Sequence, residues 1–344
     1  MTIGRIIGAV RGRVLIAASW LACHLPEAPL VPLADLAGDL WYRTTPDRAA
    51  QARRNLRRVA VHLAAQDRGS ASVRAAATDP RALEHLVRRA YRHAARYYLE
   101  VARTPALRAE DLDRRLTLET PDLVDEAFAN GPVIFVGLHF GAIELPGLFL
   151  ASRVGGAVAP MQTIDDAGLQ DWFVRTRGAV GLRIVGLREA RRQLLDALRA
   201  GISVGLVGDR DLTGGGTLVT LFGAPASLPL GPAMLAVESG ARPYVVGVRR
   251  AGAGAYLGRL ETIVVPPDGP RRDRVTTTTQ AIATAFQRIV EDAPEQWWAV
   301  FFPIWPDLEA APANDEATAE GAAADSATGS PQVGSATAGE RTAT

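Results

Sequence analysis

From residue 116 onward the chain keeps returning to one pattern: a short apolar run, a turn signal, then a stretch of helical periodicity. Residues 133–138 follow Asn130-Gly131-Pro132, and residues 203–207 follow the helix-ending Gly201. Runs this short and this apolar, bounded by Gly and Pro, predict strands buried on both faces. The same reading places strands at 157–161, 183–185, 218–222 and 243–249, with 262–265 pairing to the last of these. Helices are expected at 144–152, 169–178, 188–200, 232–239 and 276–292. Strands and helices that alternate with short links make a layered α/β fold: a mostly parallel central sheet flanked by helices. The preceding residues read as helical. Pro46-Asp47-Arg48 opens one helix, and Asp79-Pro80 opens another that runs to about Val101.

The organisation expected is a helical segment over 1–45, an α/β domain over 46–308 and a tail over 309–344. The tail is built largely from Ala, Thr, Gly, Ser, Glu and Asp without an aromatic residue. It has too little apolar surface to offset its ordering entropy and is expected to be disordered. It carries six acids and one base. Taking its net −5 from the chain's +1 leaves a body of about +6. A mildly basic body suits an anionic membrane or a phosphate-bearing substrate, whereas nucleic acid calls for a basic stripe interleaved with aromatics that the chain lacks. All 38 basic residues are arginine. The absence of lysine removes the phosphate-loop NTPases and Schiff-base chemistry. A single cysteine, Cys23, removes a cysteine zinc site and an intramolecular disulfide, and no metal site is expected.

Residues 3–22 form an apolar segment interrupted by Arg5, Arg11 and Arg13, with Ile3, Ile6, Ile7, Val10, Val14 and Leu21 on one helical face. A span needs about 20 nearly uncharged residues, so an amphipathic helix lying in the interface fits better, with Trp20 at headgroup level.

His139 follows directly on the 133–138 run, and Glu144 lies five residues on. Within a continuous helix that spacing would set the side chains about 140° apart. They meet only if His139 sits on the strand-to-helix turn, which Gly141 would allow, with Glu144 inside the helix. A carboxylate on one ring nitrogen fixes the tautomer and leaves the other nitrogen to accept a proton. The carboxyl end of a strand is where open α/β sheets bind ligands. Asp209 follows the 203–207 run in the same manner, and Arg210 and Asp211 come next. Trp297, Trp298, Phe301, Phe302 and Trp305 form a dense aromatic cluster that reads either as core or as the wall of an acyl-chain groove.

Several ordered blocks carry a resemblance to a known family. They are His139-Phe-Gly-Ala-Ile-Glu144, Phe173-Val-Arg-Thr-Arg177-Gly178, Gly208-Asp209-Arg210-Asp211-Leu212, Leu221-Phe222-Gly223, Gly231-Pro232-Ala233 and Pro294-Glu295-Gln296-Trp297-Trp298. Over residues 1 to about 308 the chain resembles the bacterial lipid acyltransferases that include the lipid A late acyltransferases and the phosphatidylinositol mannoside acyltransferases, with the Asp-Arg-Asp-Leu and Pro-Glu-x-Trp blocks leaning to the mannoside branch. The resemblance implies an enzyme that moves a fatty acyl chain from acyl-CoA or acyl carrier protein to a hydroxyl of a membrane glycolipid or phospholipid, with no further cofactor. It implies His139 as general base oriented by Glu144. It implies Arg177, Asp209, Arg210, Asp211 and Gly141 at the substrate, with backbone N–H groups near Gly141 or Gly208 as oxyanion donors. It also implies peripheral attachment to the cytoplasmic face of the cell membrane. A lipid A-type acyltransferase that uses acyl carrier protein, a lipid-binding protein with a degenerate site, and a hydrolase remain alternatives.

Overall fold

The computed structural model describes residues 3–309 apart from 180 and 213; the expected tail beyond 309 lies outside the described residues. Five helices come first: α1 (Ile3–His24), α2 (Glu27–Thr44), α3 (Pro46–Ala65), α4 (Ala71–Ala75) and α5 (Pro80–Arg103). The order then runs α6 (Ala109–Arg115), β1 (Leu116–Leu118), α7 (Pro121–Ala129), β2 (Val133–Gly141), α8 (Glu144–Val154), β3 (Ala157–Met161), α9 (Ala167–Ala179), β4 (Leu182–Gly186), α10 (Ala190–Arg199) and β5 (Val204–Val207). It closes with β6 (Thr217–Leu221), β7 (Ala224–Leu228), α11 (Gly231–Ser239), β8 (Arg242–Gly252), β9 (Ala255–Thr262) and α12 (Arg271–Val290). The helix starts follow local chemistry. Asp79 caps α5 by accepting from the Arg81 N–H, and Pro46 and Pro80 occupy first-turn positions where their missing N–H costs nothing.

Seven strands form one sheet in the order β1-β9-β8-β2-β5-β3-β4, and every neighbouring pair is parallel except β8–β9. The central strand β2 is apolar on both faces because both are covered. Ile134, Val136, Leu138 and Phe140 enter a core shared with α3, α5, α10, α11, α12 and the C-terminal aromatics, while Val133 and Phe135 enter a second core with α7 and α8. Alternation along a strand sends consecutive side chains to opposite faces, and here each face has its own core.

Two expectations need correction. The partner of β8 is β9, at 255–262, and not residues 262–265. Gly254, with φ +66°, turns the chain back, so the hairpin forms before the apolar run at 262–265 is reached. The 218–222 run does not join the main sheet. β6 pairs with β7 in a two-stranded hairpin closed by Phe222 and Gly223, both at positive φ. α2, unmarked in the sequence by any clear start, packs along α5. The Arg96–Asp35 and Arg92–Asp39 pairs tie the two helices together. Gly38 lets their backbones approach so closely that a Cβ there would lie 2.7 Å from the Tyr91 carbonyl oxygen.

α1 packs on α5 through Ser19, whose hydroxyl donates to the Ala102 carbonyl at 2.6 Å. Val14, Trp20 and Leu21 on α1 are exposed, as are Leu33, Leu36 and Leu40 on α2. Ile3, Ile6, Ile7 and Val10, the rest of the expected apolar face, lie outside the described side chains.

Candidate active site

The site forms where β2 and β5 end side by side. Parallel pairing sets Gly137 opposite Val207, and the Gly208 N–H donates to the Gly137 carbonyl at 3.0 Å. Two residues further along each strand stand His139 and Asp209. His139 Nδ1 lies 2.7 Å from Asp209 Oδ1, and the His139 backbone N–H donates to Oδ2 at 3.0 Å. Trp297 Nε1 donates to the same Oδ2 at 2.8 Å. The Asp209 side chain is 1% exposed and that of His139 is 20% exposed. Burial pushes the Asp209 carboxyl up. The His139 charge and the hydrogen bonds from His139 and Trp297 outweigh it, so its pKa falls below the ordinary carboxylate value. An ionised Asp209 accepts a hydrogen bond from Nδ1–H and leaves Nε2 as the acceptor nitrogen.

The partner of His139 is therefore Asp209, and the expected His139–Glu144 contact does not form. Glu144 is the first residue of α8, and its carboxylate takes Arg177 of α9 bidentately, at 2.6 and 3.1 Å. The reason lies in the local backbone. β2 continues to Gly141, so His139 sits within an irregular strand end rather than on a free turn. Pairing with β8 shifts register between Gly137 and Gly141, a bulge of the kind that re-aims side chains. Gly141 makes that shift possible. It has φ +53°, and a Cβ would come 2.0 Å from the Val248 carbonyl oxygen. The Gly141 carbonyl in turn accepts from Arg250 at 2.8 Å, and Arg250 is ion-paired with Glu100.

The remaining expected site residues separate. Arg177 is engaged with Glu144 and lies over the Phe173 ring at 4.9 Å, so its charge is balanced within the protein. Asp211 accepts from the Gly216 N–H and the Ser227 hydroxyl, which ties Gly216 to β7. Arg210 stays beside the histidine and lies 5.6 Å from the centroid of the Trp298 ring. Of the N–H groups near Gly141 or Gly208 expected as oxyanion donors, those of Gly208 and Ala142 donate to the Gly137 and Val248 carbonyls. The aromatic cluster divides as well. Trp297 and Trp305 are buried in the core, and Trp298 stands beside His139 with ring centroids 5.4 Å apart.

A cavity of about 360 Å³ opens at His139. Its lining combines polar side chains, His139, Glu144, Arg177, Arg210 and Tyr97, with many apolar ones, among them Leu150, Leu182, Ile184 and Leu206. Tyr97 also lines the cavity, although no motif in the sequence marks it. Burial and the Glu144 charge hold its phenol well above the ordinary tyrosine range, so the hydroxyl stays protonated. The signal that could have found Asp209's role was its position. It stands two residues past the end of β5, level with His139 on β2, if the two strands are taken as neighbours.

The profile described as bacterial lipid A biosynthesis acyltransferase matches residues 11–302. The chain belongs to this acyltransferase family. It is similar to phosphatidylinositol mannoside acyltransferases of two Mycobacterium tuberculosis strains, at 30% identity over 209 residues, covering 59% of this chain and 65% of each relative. It is also similar to the one from Mycolicibacterium smegmatis, at 27% identity over 219 residues, covering 62% of this chain and 70% of that protein. The chain thus spans just under two thirds of the length of the tuberculosis relatives. Both the His139 and the Asp209 blocks fall inside the region matched to the family.

Proposed function

We propose that the protein transfers a fatty acyl chain from an acyl thioester, carried on coenzyme A or acyl carrier protein, to a hydroxyl of a membrane glycolipid of the phosphatidylinositol mannoside type. The observation that carries this reading is the pairing of a buried carboxylate with a histidine that lines a largely apolar cavity. A sugar hydroxyl is a weak nucleophile near neutral pH and needs a general base. His139 Nε2 takes the hydroxyl proton as the oxygen attacks the thioester carbonyl carbon. The tetrahedral intermediate collapses, the C–S bond breaks, and the leaving thiolate receives the proton back from Nε2. Asp209 stabilises the imidazolium that exists between those two transfers. The apolar lining accepts the acyl chain and keeps water from the thioester.

Peripheral attachment to the cytoplasmic face of the membrane belongs to the same proposal. No helix among the described residues is long and apolar enough to cross a membrane. Leu33, Leu36 and Leu40 on α2 recur at helical spacing and are 59%, 65% and 60% exposed, beside the exposed apolar residues of α1. An apolar stripe of this kind suits the acyl–headgroup boundary.

The test is acyl transfer from radiolabelled palmitoyl-coenzyme A to mannosylated phosphatidylinositol in vesicles, with wild type and His139→Ala. Labelled glycolipid from wild type and none from the variant is expected. Transfer that survives in His139→Ala at the wild-type rate removes the catalytic assignment, and release of free fatty acid alone reassigns the protein as a hydrolase.

A further inference from the structure

Most arginines around the site are committed within the protein: Arg177 to Glu144, Arg250 to Glu100, Arg96 to Asp35. Arg48, in the first turn of α3, is different. Among the described residues no carboxylate is paired with it, and its guanidinium is held by ring faces, 5.8 Å from the centroid of Trp41 and 5.5 Å from that of Phe302. Arg210 lies over the same Phe302 ring at 3.7 Å and over Trp298 at 5.6 Å. Trp298 and Phe302 are in contact, with centroids 4.7 Å apart, and Trp298 faces His139. The aromatic series therefore runs from the imidazole through Trp298 to Phe302, and both arginines lie against Phe302.

Tyr98 reports the convergence of the two cations. Burial pushes its phenol up, and the Arg48 charge, a hydrogen bond with Trp298 and the Arg210 charge pull it back. Two guanidinium groups thus act on one hydroxyl of a residue that lines the cavity and is itself 37% exposed. The stacking has a physical consequence. A guanidinium resting on a ring face has already lost much of its rotamer freedom, so less is lost when it binds a planar or tetrahedral oxyanion.

We propose that Arg48 and Arg210 form a phosphate subsite that holds the phosphodiester of the acceptor lipid while a sugar hydroxyl reaches His139. This rests on the acyltransferase reading above and names the headgroup chemistry it selects. The location assigns the phosphate to the acceptor rather than to the nucleotide of the donor. Trp41, which stacks with Arg48, directly follows Leu40 of the exposed apolar stripe on α2. A helix resting in the acyl boundary through that stripe puts Arg48 at headgroup level, where the lipid's phosphate lies.

The test is isothermal titration calorimetry with glycerophosphoinositol, which has the phosphodiester and no acyl chain, and separately with coenzyme A. Wild type is compared with Arg48→Gln, Arg210→Gln and Arg48→Lys, each checked for an unchanged melting curve. The expected result is a loss of about tenfold or more in glycerophosphoinositol affinity in each Gln variant, as for removal of a charged hydrogen bond, with partial retention in Arg48→Lys. Unchanged affinity in both Gln variants, or no binding by wild type, overturns the subsite. Coenzyme A affinity that falls instead overturns its assignment to the acceptor. The titration needs no turnover, so failure of the acyl-transfer assay and failure of the phosphate subsite are read separately.

Discussion

Replacing Asp209 by Asn changes one atom at the centre of the site, and the hydrogen-bond geometry dictates how the amide must lie. Oδ2 receives two donors, the His139 backbone N–H at 3.0 Å and Trp297 Nε1 at 2.8 Å, whereas Oδ1 faces only His139 Nδ1 at 2.7 Å. An amide NH2 in the Oδ2 position would confront two N–H groups. The amide therefore turns its oxygen toward Oδ2 and its NH2 toward Nδ1. Nδ1 must then accept, the ring proton moves to Nε2, and the productive tautomer of the base is lost. The same change in the serine-protease triad, Asp to Asn behind the catalytic histidine, lowers turnover by about 10⁴-fold, and a loss of about 10³- to 10⁴-fold is expected here. That corresponds to about 4–5.5 kcal/mol in the barrier. The loss of folding stability should be small by comparison, about 1–2 kcal/mol, because both crowded donors keep an acceptor. The assays are kcat for acyl transfer and the 15N chemical shifts of the His139 ring, which distinguish the tautomers. Turnover within threefold of wild type, or a ring proton that stays on Nδ1 in Asp209→Asn, would overturn this account of the pair.

Glu144→Gln should act through a different route. It leaves Arg177, whose side chain is 20% exposed, without its counter-charge, so a fall in stability of about 2–3 kcal/mol in chemical denaturation is expected, with a smaller loss of kcat than for Asp209→Asn; an equal or larger loss of kcat would return the orienting role to Glu144. Burial, followed by the charges of Arg250, Arg96 and Arg89, lowers the His93 pKa to about 2. The unfolded chain therefore binds a proton near pH 6.5 that the folded chain refuses, and stability falls as pH drops below that value, by about 2 kcal/mol at pH 5 from this group. His93→Gln should flatten the unfolding free energy between about pH 7 and 5, and an unchanged slope would exclude His93 as its source. Leu36→Glu on the exposed face of α2 should weaken flotation with anionic vesicles by about tenfold, through the lost transfer of one apolar side chain; undiminished flotation would remove α2 from the membrane contact.

Much of the fold is legible along the chain because its signals are local. Apolar runs bounded by Gly and Pro mark β2, β3 and β5 to within a few residues, and first-turn prolines, with the Asp79 cap for α5, mark the starts of α3 and α5. The elements that escape have weak local signatures. α2 contains Pro32 and opens without a side-chain cap, and β7 is a five-residue strand, Ala224–Leu228, that includes Pro225. The site is legible residue by residue but not pair by pair. His139 and Asp209 each stand out for following a buried strand, yet spacing along the chain points the histidine at Glu144.

Local sequence is enough to establish that the chain builds a layered α/β fold, that it brings a histidine and several acids to strand ends, and that it has no lysine and a single cysteine. Which acid serves the histidine is a matter of tertiary packing. Strand order is set across the whole sheet, and the parallel register of β2 with β5 is what brings together two residues 70 positions apart. Glu144, five residues away, is carried off by the helix it begins and is neutralised by an arginine from α9. A spacing motif reports which side chains are near in the chain, and the hydrogen-bonding of neighbouring strands settles which are near in space.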